Sequence, residues 1–332
     1  MKSTPSVPPR ARLRTYSHLA EGRRIPGDYD VATSKLLYHP QRGLEVDVPF
    51  GRWYQRHARG SALQLDDWDA FADPRRTTYS NYTALMTGRE AFAGTLADRM
   101  AETGYDDRLA PAAIELFDDA VAPLRYPLHG LQMVAAYLGQ LAPAGRIAIV
   151  CALQAADELR RVQHIARRMA RVGRARAPDG PGDDGRARWE GHAAWQPLRR
   201  AVELLLVVRD WGEAFAALQL CVKPLLDRWI CLGLAGRAAE LDDPLFGELL
   251  GAFDADARWH RQWAAELVRL ALAGRPQNRE ALMAWIARWL PIAEGAIEPL
   301  AGAAGAAPAA AALASDHRIE LRGLGLGTGE TS

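Results

Sequence analysis

The residues best able to do chemistry are Asp157, Glu158, Arg161 and His164, within Leu153-Gln154-Ala155-Ala156-Asp157-Glu158-Leu159-Arg160-Arg161-Val162-Gln163-His164. A glutamate three residues before a histidine on one helix presents two metal ligands on the same face, and such pairs hold two iron or manganese ions between facing helices. Here the acid is present as Glu158, but three residues on stands Arg161. A guanidinium stays protonated and has no lone pair to give a metal. His164 is six residues from Glu158 and points to a different side. The run reads as a metal-site helix without a working metal site.

A second fragment, Asp254-Ala255-Asp256-Ala257-Arg258-Trp259-His260, lies roughly 100 residues later. The position three before His260 is Ala257, and Asp256 is one residue off, about 100° around a helix. The first fragment keeps the acid and loses the histidine; the second keeps the histidine and loses the acid. Other catalytic patterns are missing: there is no Gly-x-Ser-x-Gly elbow and no Gly-x-x-x-x-Gly-Lys-[Ser/Thr] loop. His129 and His164 show no activating partner and read as packed or surface residues. The Trp259/Trp263 and Trp285/Trp289 pairs, at i,i+4, read as core or interface packing.

These residues need helices to position them. Gln154, Glu158 and Arg161 share one stripe with Ile147, Val150, Cys151 and Ile165, so polar groups sit within an apolar face and need partners inside the fold. Their helix opens at Pro143 and is expected to run to about Val172. Before it, helices are expected over Thr77–Glu102, Asp106–Ala120 and from Pro123 through Leu138. After a polar loop from Gly173 to Gly185, helices resume at Pro197–Val208, Asp210 to about Leu234 with a kink at Pro224, Pro244–Ala273, and Gln277 to about Pro299. No strand-like alternation persists, so the fold is expected to be all-α, a bundle of long helices over 77–300.

The flanks differ. Residues 1–76 are proline-punctuated but rich in rings, and read as an extended arm that lies across this chain's own body or a partner. Tyr16, Tyr29, Trp53, Tyr54, Trp68 and Phe71 are the candidate contacts. Residues 301–332 read as an Ala/Gly-rich flexible tail; Gly323–Gly329 lacks dinucleotide-loop spacing and a following helix.

A chain of 332 residues, 49% hydrophobic and 24% charged, suits a soluble globular protein of one or two domains. A net charge of +1 argues against nucleic acid as a partner, and Arg160-Arg161 and Arg167-Arg168 read as solvated or internally paired. Cys151, Cys221 and Cys231 form no Cys-x-x-Cys and fit a reducing cytoplasm. The start lacks a signal peptide's apolar core, and the longest strongly apolar run, Leu204 to Val208, is too short to span a membrane. The expected location is the cytoplasm.

Several motifs together resemble a known family. They are Tyr16-Ser17-His18-Leu19-Ala20, Asp67-Trp68-Asp69-Ala70-Phe71, Asp73-Pro74, Ala122-Pro123-Leu124-Arg125-Tyr126, His129-Gly130-Leu131-Gln132-Met133, and Asp210-Trp211-Gly212-Glu213-Ala214-Phe215 with Val222-Lys223-Pro224. From about residue 15 to 300 they resemble the β subunit of bacterial multicomponent di-iron monooxygenase hydroxylases, closest to the toluene/aromatic and alkene branch. The resemblance implies a ferritin-like (ribonucleotide reductase-like) fold and a non-catalytic, structural subunit. It implies an (αβγ)2 assembly with α and γ subunits and a second β subunit. The di-iron centre then lies in α, where one atom of O2 enters a hydrocarbon. A reductase carrying FAD and an iron–sulfur centre supplies electrons from NADH, and a small effector protein regulates the complex. By the same resemblance Glu158, Arg161, Lys223, Ala257 and His260 occupy degenerate metal-site positions, and this chain holds no cofactor. The alternative is a stand-alone ferritin-like metalloenzyme using Glu90, Glu158 and His260, which has too few ligands at proper spacing.

Overall fold

The computed structural model describes residues 25–34, 36, 48–176, 184–305 and 307–327, and among these there are helices and turns but no strand. Tyr16 lies outside the described residues.

The arm enters through two short helices, α1 (Asp28–Ser34) and α2 (Pro49–Tyr54), the latter continuing as a widened turn over Gln55–Arg59. It is more firmly packed than its composition suggests. Tyr54, Leu63 and Phe71 are buried in the core of the helical body, and Tyr29 is buried as well. Asp73 fastens the corner. Its carboxylate accepts from the Trp259 indole N–H at 2.9 Å and from the backbone N–H of Arg75 and Thr77, while its own N–H donates to the Tyr29 hydroxyl. Tyr29, Tyr54 and Phe71, expected as contact residues, are therefore held by this chain itself. Trp53 and Phe50 remain exposed and Trp68 is half-buried.

The body begins with α3 (Tyr79–Glu102), capped by a reciprocal Thr78–Asn81 box. The helix expected over 106–120 is interrupted. A short 3-10 turn at Asp106–Arg108 precedes α4 (Pro111–Leu116), because Ala110, before a proline, is held extended. α5 (Arg125–Gln140) then packs extensively on α6 (Gly145–Arg176). α5 buries Leu128, Leu131, Val134 and Leu138; α6 answers with Ile147, Val150, Cys151, Ile165 and Met169. α7 (Gly185–Gly191) and α8 (Gln196–Leu206) close that side.

Trp211 to Glu240 is helical throughout: α9 (Trp211–Phe215), α10 (Lys223–Arg228) and α11 (Ala235–Glu240) are joined by π-helical stretches at Ala216–Val222 and Trp229–Leu234. Between Trp211 and Leu234 only Glu213 and Leu232 escape burial, so this is the central helix. Pro224 sits in the first turn of α10, just past the widened stretch, where its missing N–H falls at a change of hydrogen-bond register. α12 (Pro244–Gly274) and α13 (Gln277–Ala303) complete the bundle.

The flexible tail expected from 301 is corrected. α13 runs to Ala303, and α14 (Ala307–Gly323) docks on α13 and α10. α14 buries Leu313, His317 and Leu321, and the His317 Nε2–H donates to the Leu220 carbonyl at 2.8 Å. That carbonyl lies in the π-helical stretch, so the C-terminal helix is pinned to the central one.

Candidate functional site

At the centre α6 and α10 bring four charges together against α12. Glu158, Arg161, Lys223 and Asp227 are all essentially buried. The Lys223 ammonium donates to Glu158 Oε1 and to both Asp227 oxygens, at 3.1 and 2.9 Å. Arg161 donates to Asp227 Oδ1 at 2.7 Å and to the Phe253 carbonyl at 2.7 Å, and reaches Glu158 Oε2 at 3.4 Å. Two anions and two cations make the quartet neutral, which is how charges survive where water cannot reach them. Burial alone would raise the Asp227 carboxyl; Lys223 and Arg161 outweigh it and hold that group well below the usual carboxylate range. Burial also works against the Arg161 cation, but Glu158 and Asp227 prevail and hold it firmly protonated.

A second set of charges borders the quartet. Asp157, on the next position of α6, accepts from the Tyr82 hydroxyl at 2.7 Å, from Arg160 at 3.0 Å and from His260 Nε2 at 3.1 Å. Burial, then Lys223 and Arg161, push the His260 imidazole well below its ordinary value, so the ring is neutral and donates from Nε2 to the acid. Burial raises Asp157 against the opposing pull of Tyr82 and Arg160. Arg160 also donates to Asp256 at 3.0 Å and Glu90 at 3.1 Å, and Arg89 pairs with Asp256. The fit is incomplete: among the described residues Gln154 Nε2, Arg161 Nε and His260 Nδ1 are buried without a partner.

The donor set does not suit a di-metal centre. An ammonium and a guanidinium stand among the carboxylates, and neither can ligate a metal ion. Each carboxylate oxygen of the quartet is already engaged by one of those cations. The arrangement can hold helices in register; it offers no displaceable ligand.

Comparison with known proteins agrees with the architecture. A family model described as methane/phenol/alkene hydroxylase matches residues 52–274. The chain belongs to that family. A relative within it is the β subunit of the hydroxylase component of the toluene-4-monooxygenase system of Ectopseudomonas mendocina. It is 37% identical over 291 residues, which cover 86% of this chain and 89% of that one. A solved structure of toluene 4-monooxygenase, with toluene bound in its resting active site, superposes with a TM-score of 0.81 at 34% identity. The match covers 90% of this chain and 100% of that one. Phenol hydroxylase from Pseudomonas sp. OX1 shares the fold with a TM-score of 0.79 at 23% identity, over 99% of both chains. The helical bundle is thus the ferritin-like fold of the hydroxylase family.

Against this family background the expected site residues can be placed. Glu158, Arg161 and Lys223 do converge. Ala257 is fully buried on α12, one turn before His260, whose hydrogen-bond partner is Asp157 rather than a quartet member. The closest partner of Arg161 is Asp227, not Glu158. Glu90, Glu158 and His260, the ligands of the metalloenzyme alternative, have separate partners. Glu90 binds His164 at 2.7 Å and Arg160, Glu158 binds Lys223, and His260 binds Asp157. Asp227, Tyr82 and Arg89 were not singled out from sequence, and Asp256, noted there as one residue off a ligand position, pairs with Arg160 and Arg89 instead. For Asp227 a signal existed: Lys223 and Asp227 stand at i,i+4 inside an almost uninterrupted apolar run, where two charges must pair. Arg168, expected among solvated or internally paired arginines, is buried and paired with Asp106 and Asp243.

Proposed function

We propose that this chain is the non-catalytic, structural β subunit of a multicomponent monooxygenase hydroxylase. Its α partner would carry the di-iron centre that inserts one atom of O2 into an aromatic or alkene hydrocarbon. The observation that carries this reading is the neutral quartet of Glu158, Arg161, Lys223 and Asp227, in which two cations engage every carboxylate oxygen that could otherwise ligate a metal. The name of the Ectopseudomonas relative supports the role of β subunit.

On this reading the chain assembles with α, γ and a second β subunit as (αβγ)2. An effector protein and an NADH-dependent reductase with FAD and an iron–sulfur centre act through the complex, in the cytoplasm. No helix among the described residues is long and apolar enough to cross a membrane. The arm's exposed rings, Phe50 and Trp53, are the described candidates for contact with α. Tyr16 remains a candidate outside the described residues, and Trp68 a half-buried one.

Reconstitution tests the proposal. With reductase, effector and NADH supplied, the isolated chain should hydroxylate no hydrocarbon, and adding α and γ should produce turnover. Turnover by the isolated chain would overturn the assignment. Phe50→Ser with Trp53→Ser should weaken co-purification with α, and undiminished assembly would remove those rings from the interface.

A further inference from the structure

Away from the charge cluster, a cavity of about 810 Å3 opens between α12, α14, the start of α10 and the Pro74–Arg75 corner. Its walls carry four arginines, Arg75, Arg258, Arg261 and Arg269, against two carboxylates, Glu266 and Glu320. Both carboxylates are engaged: Glu266 by Arg269 at 3.3 Å, and Glu320 by Arg228 from outside the cavity. Arg258 and Arg261 share one acid, Asp254, at 3.3 and 3.8 Å. Arg75 donates to uncharged oxygens, Gln262 Oε1 at 3.0 Å and the Ala255 carbonyl at 3.4 Å.

The lining therefore has an excess of two positive charges, and the outside partners Asp254 and Arg228 cancel one another. The whole chain carries only +1, so positive charge is concentrated here beyond the molecule's own balance. Burial lowers the Arg75 guanidinium, as do the neighbouring Arg89 and Arg258, against the opposing pull of Asp256 and Asp73. Leu220, Pro224, Leu321 and Leu324 form an apolar stretch of the wall, beside the amides of Gln219 and Gln262. His317 also lines the cavity. Its Nε2 is committed to the Leu220 carbonyl, and its Nδ1 is a buried acceptor without a partner among the described residues.

We propose that this cavity is a binding site for a small organic carboxylate, held by the Arg75, Arg258 and Arg261 side with its apolar body against α14. Planar guanidiniums match a carboxylate's two oxygens. The volume falls in the range of small-molecule pockets and far exceeds what an inorganic anion fills. The apolar wall gives an organic body something to cover. The site is independent of the hydroxylase reading, since none of its charged residues belongs to the quartet.

The test is titration calorimetry on the intact hydroxylase assembly with sodium benzoate, neutral benzamide and inorganic phosphate as probes. Benzoate should bind, and benzamide and phosphate should each bind about tenfold more weakly or worse. Arg258→Gln and Arg261→Gln should each weaken benzoate by about the same factor, because each removes a charge-assisted contact. Arg258 is mostly exposed, so its variant keeps the fold, which an unchanged melting temperature verifies. Absence of benzoate binding, equal binding of benzamide or phosphate, or benzoate binding unchanged in both variants would overturn the proposal.

Discussion

The Lys223 ammonium is hydrogen-bonded to the Glu158 carboxylate across 65 residues of sequence, joining the central helix to α6. Neither group reaches water, so each needs an oppositely charged partner inside the fold. Lys223→Met leaves Glu158 with only the 3.4 Å contact to Arg161 and should cost roughly 3–5 kcal/mol, the penalty for an uncompensated buried charge. The double variant Lys223→Met/Glu158→Gln should lose less than the single one, because no charge is orphaned. Arg199→Ala, which breaks a partly exposed i,i+4 pair with Glu203, should cost less than about 1 kcal/mol. Arg168 cannot serve as such a control, since its guanidinium is buried between Asp106 and Asp243. Urea unfolding of the three variants decides it: a Lys223→Met midpoint equal to that of Arg199→Ala would mean the quartet contributes little.

α3 is attached differently from the other long helices. Only Tyr82 and Met86 of its 24 residues are buried, and polar bridges from Tyr82, Arg89 and Glu90 hold it to α6 and α12. Tyr82→Phe removes a hydrogen bond to a buried acid and should cost about 1.5–3 kcal/mol. Amide hydrogen exchange should localise the effect, with protection falling across Tyr79–Glu102 more than across α12. A uniform change through all helices would contradict a separately attached α3.

Acid should weaken the fold before its carboxylates titrate. His260 is held well below the ordinary imidazole value, so below about pH 6.5 the unfolded chain takes a proton that the folded chain refuses. Its contribution is complete above about pH 6.5 and is lost as pH falls, by up to about 1.4 kcal/mol per pH unit. His57 and His317 are shifted in the same direction, whereas Asp157, raised by burial, acts in the opposite one. The readout is therefore the difference between wild type and His260→Asn from pH 7.5 to 5.5. The variant's stability should depend less steeply on pH, and identical slopes would show that His260 titrates normally.

Much of the architecture was legible because long amphipathic helices leave a 3.6-residue apolar period. α3, α12 and α13 lie within a few residues of their expected bounds at most ends. The π-helical stretches were not legible, because an extra residue per turn shifts the period without changing composition. α14 was missed because its run of alanines gives little contrast between faces, and its polar anchor is a histidine bound to a distant carbonyl. In the site, Glu158 and Arg161 showed themselves through a local spacing. Tyr82 meets α6, Arg89 meets Asp256 on α12, and Asp256 meets Arg160 on α6 only through tertiary contacts, which no local pattern encodes.

Both carboxylate oxygens of Glu158 are engaged by cations of the quartet, leaving none for a metal. Iron analysis of the purified hydroxylase tests this most directly, comparing assemblies built with wild-type chain and with Glu158→Gln. Both preparations should hold one di-iron centre's worth of iron per α–β pair. Twice that amount in the wild-type assembly, or a loss of iron on Glu158→Gln, would contradict it.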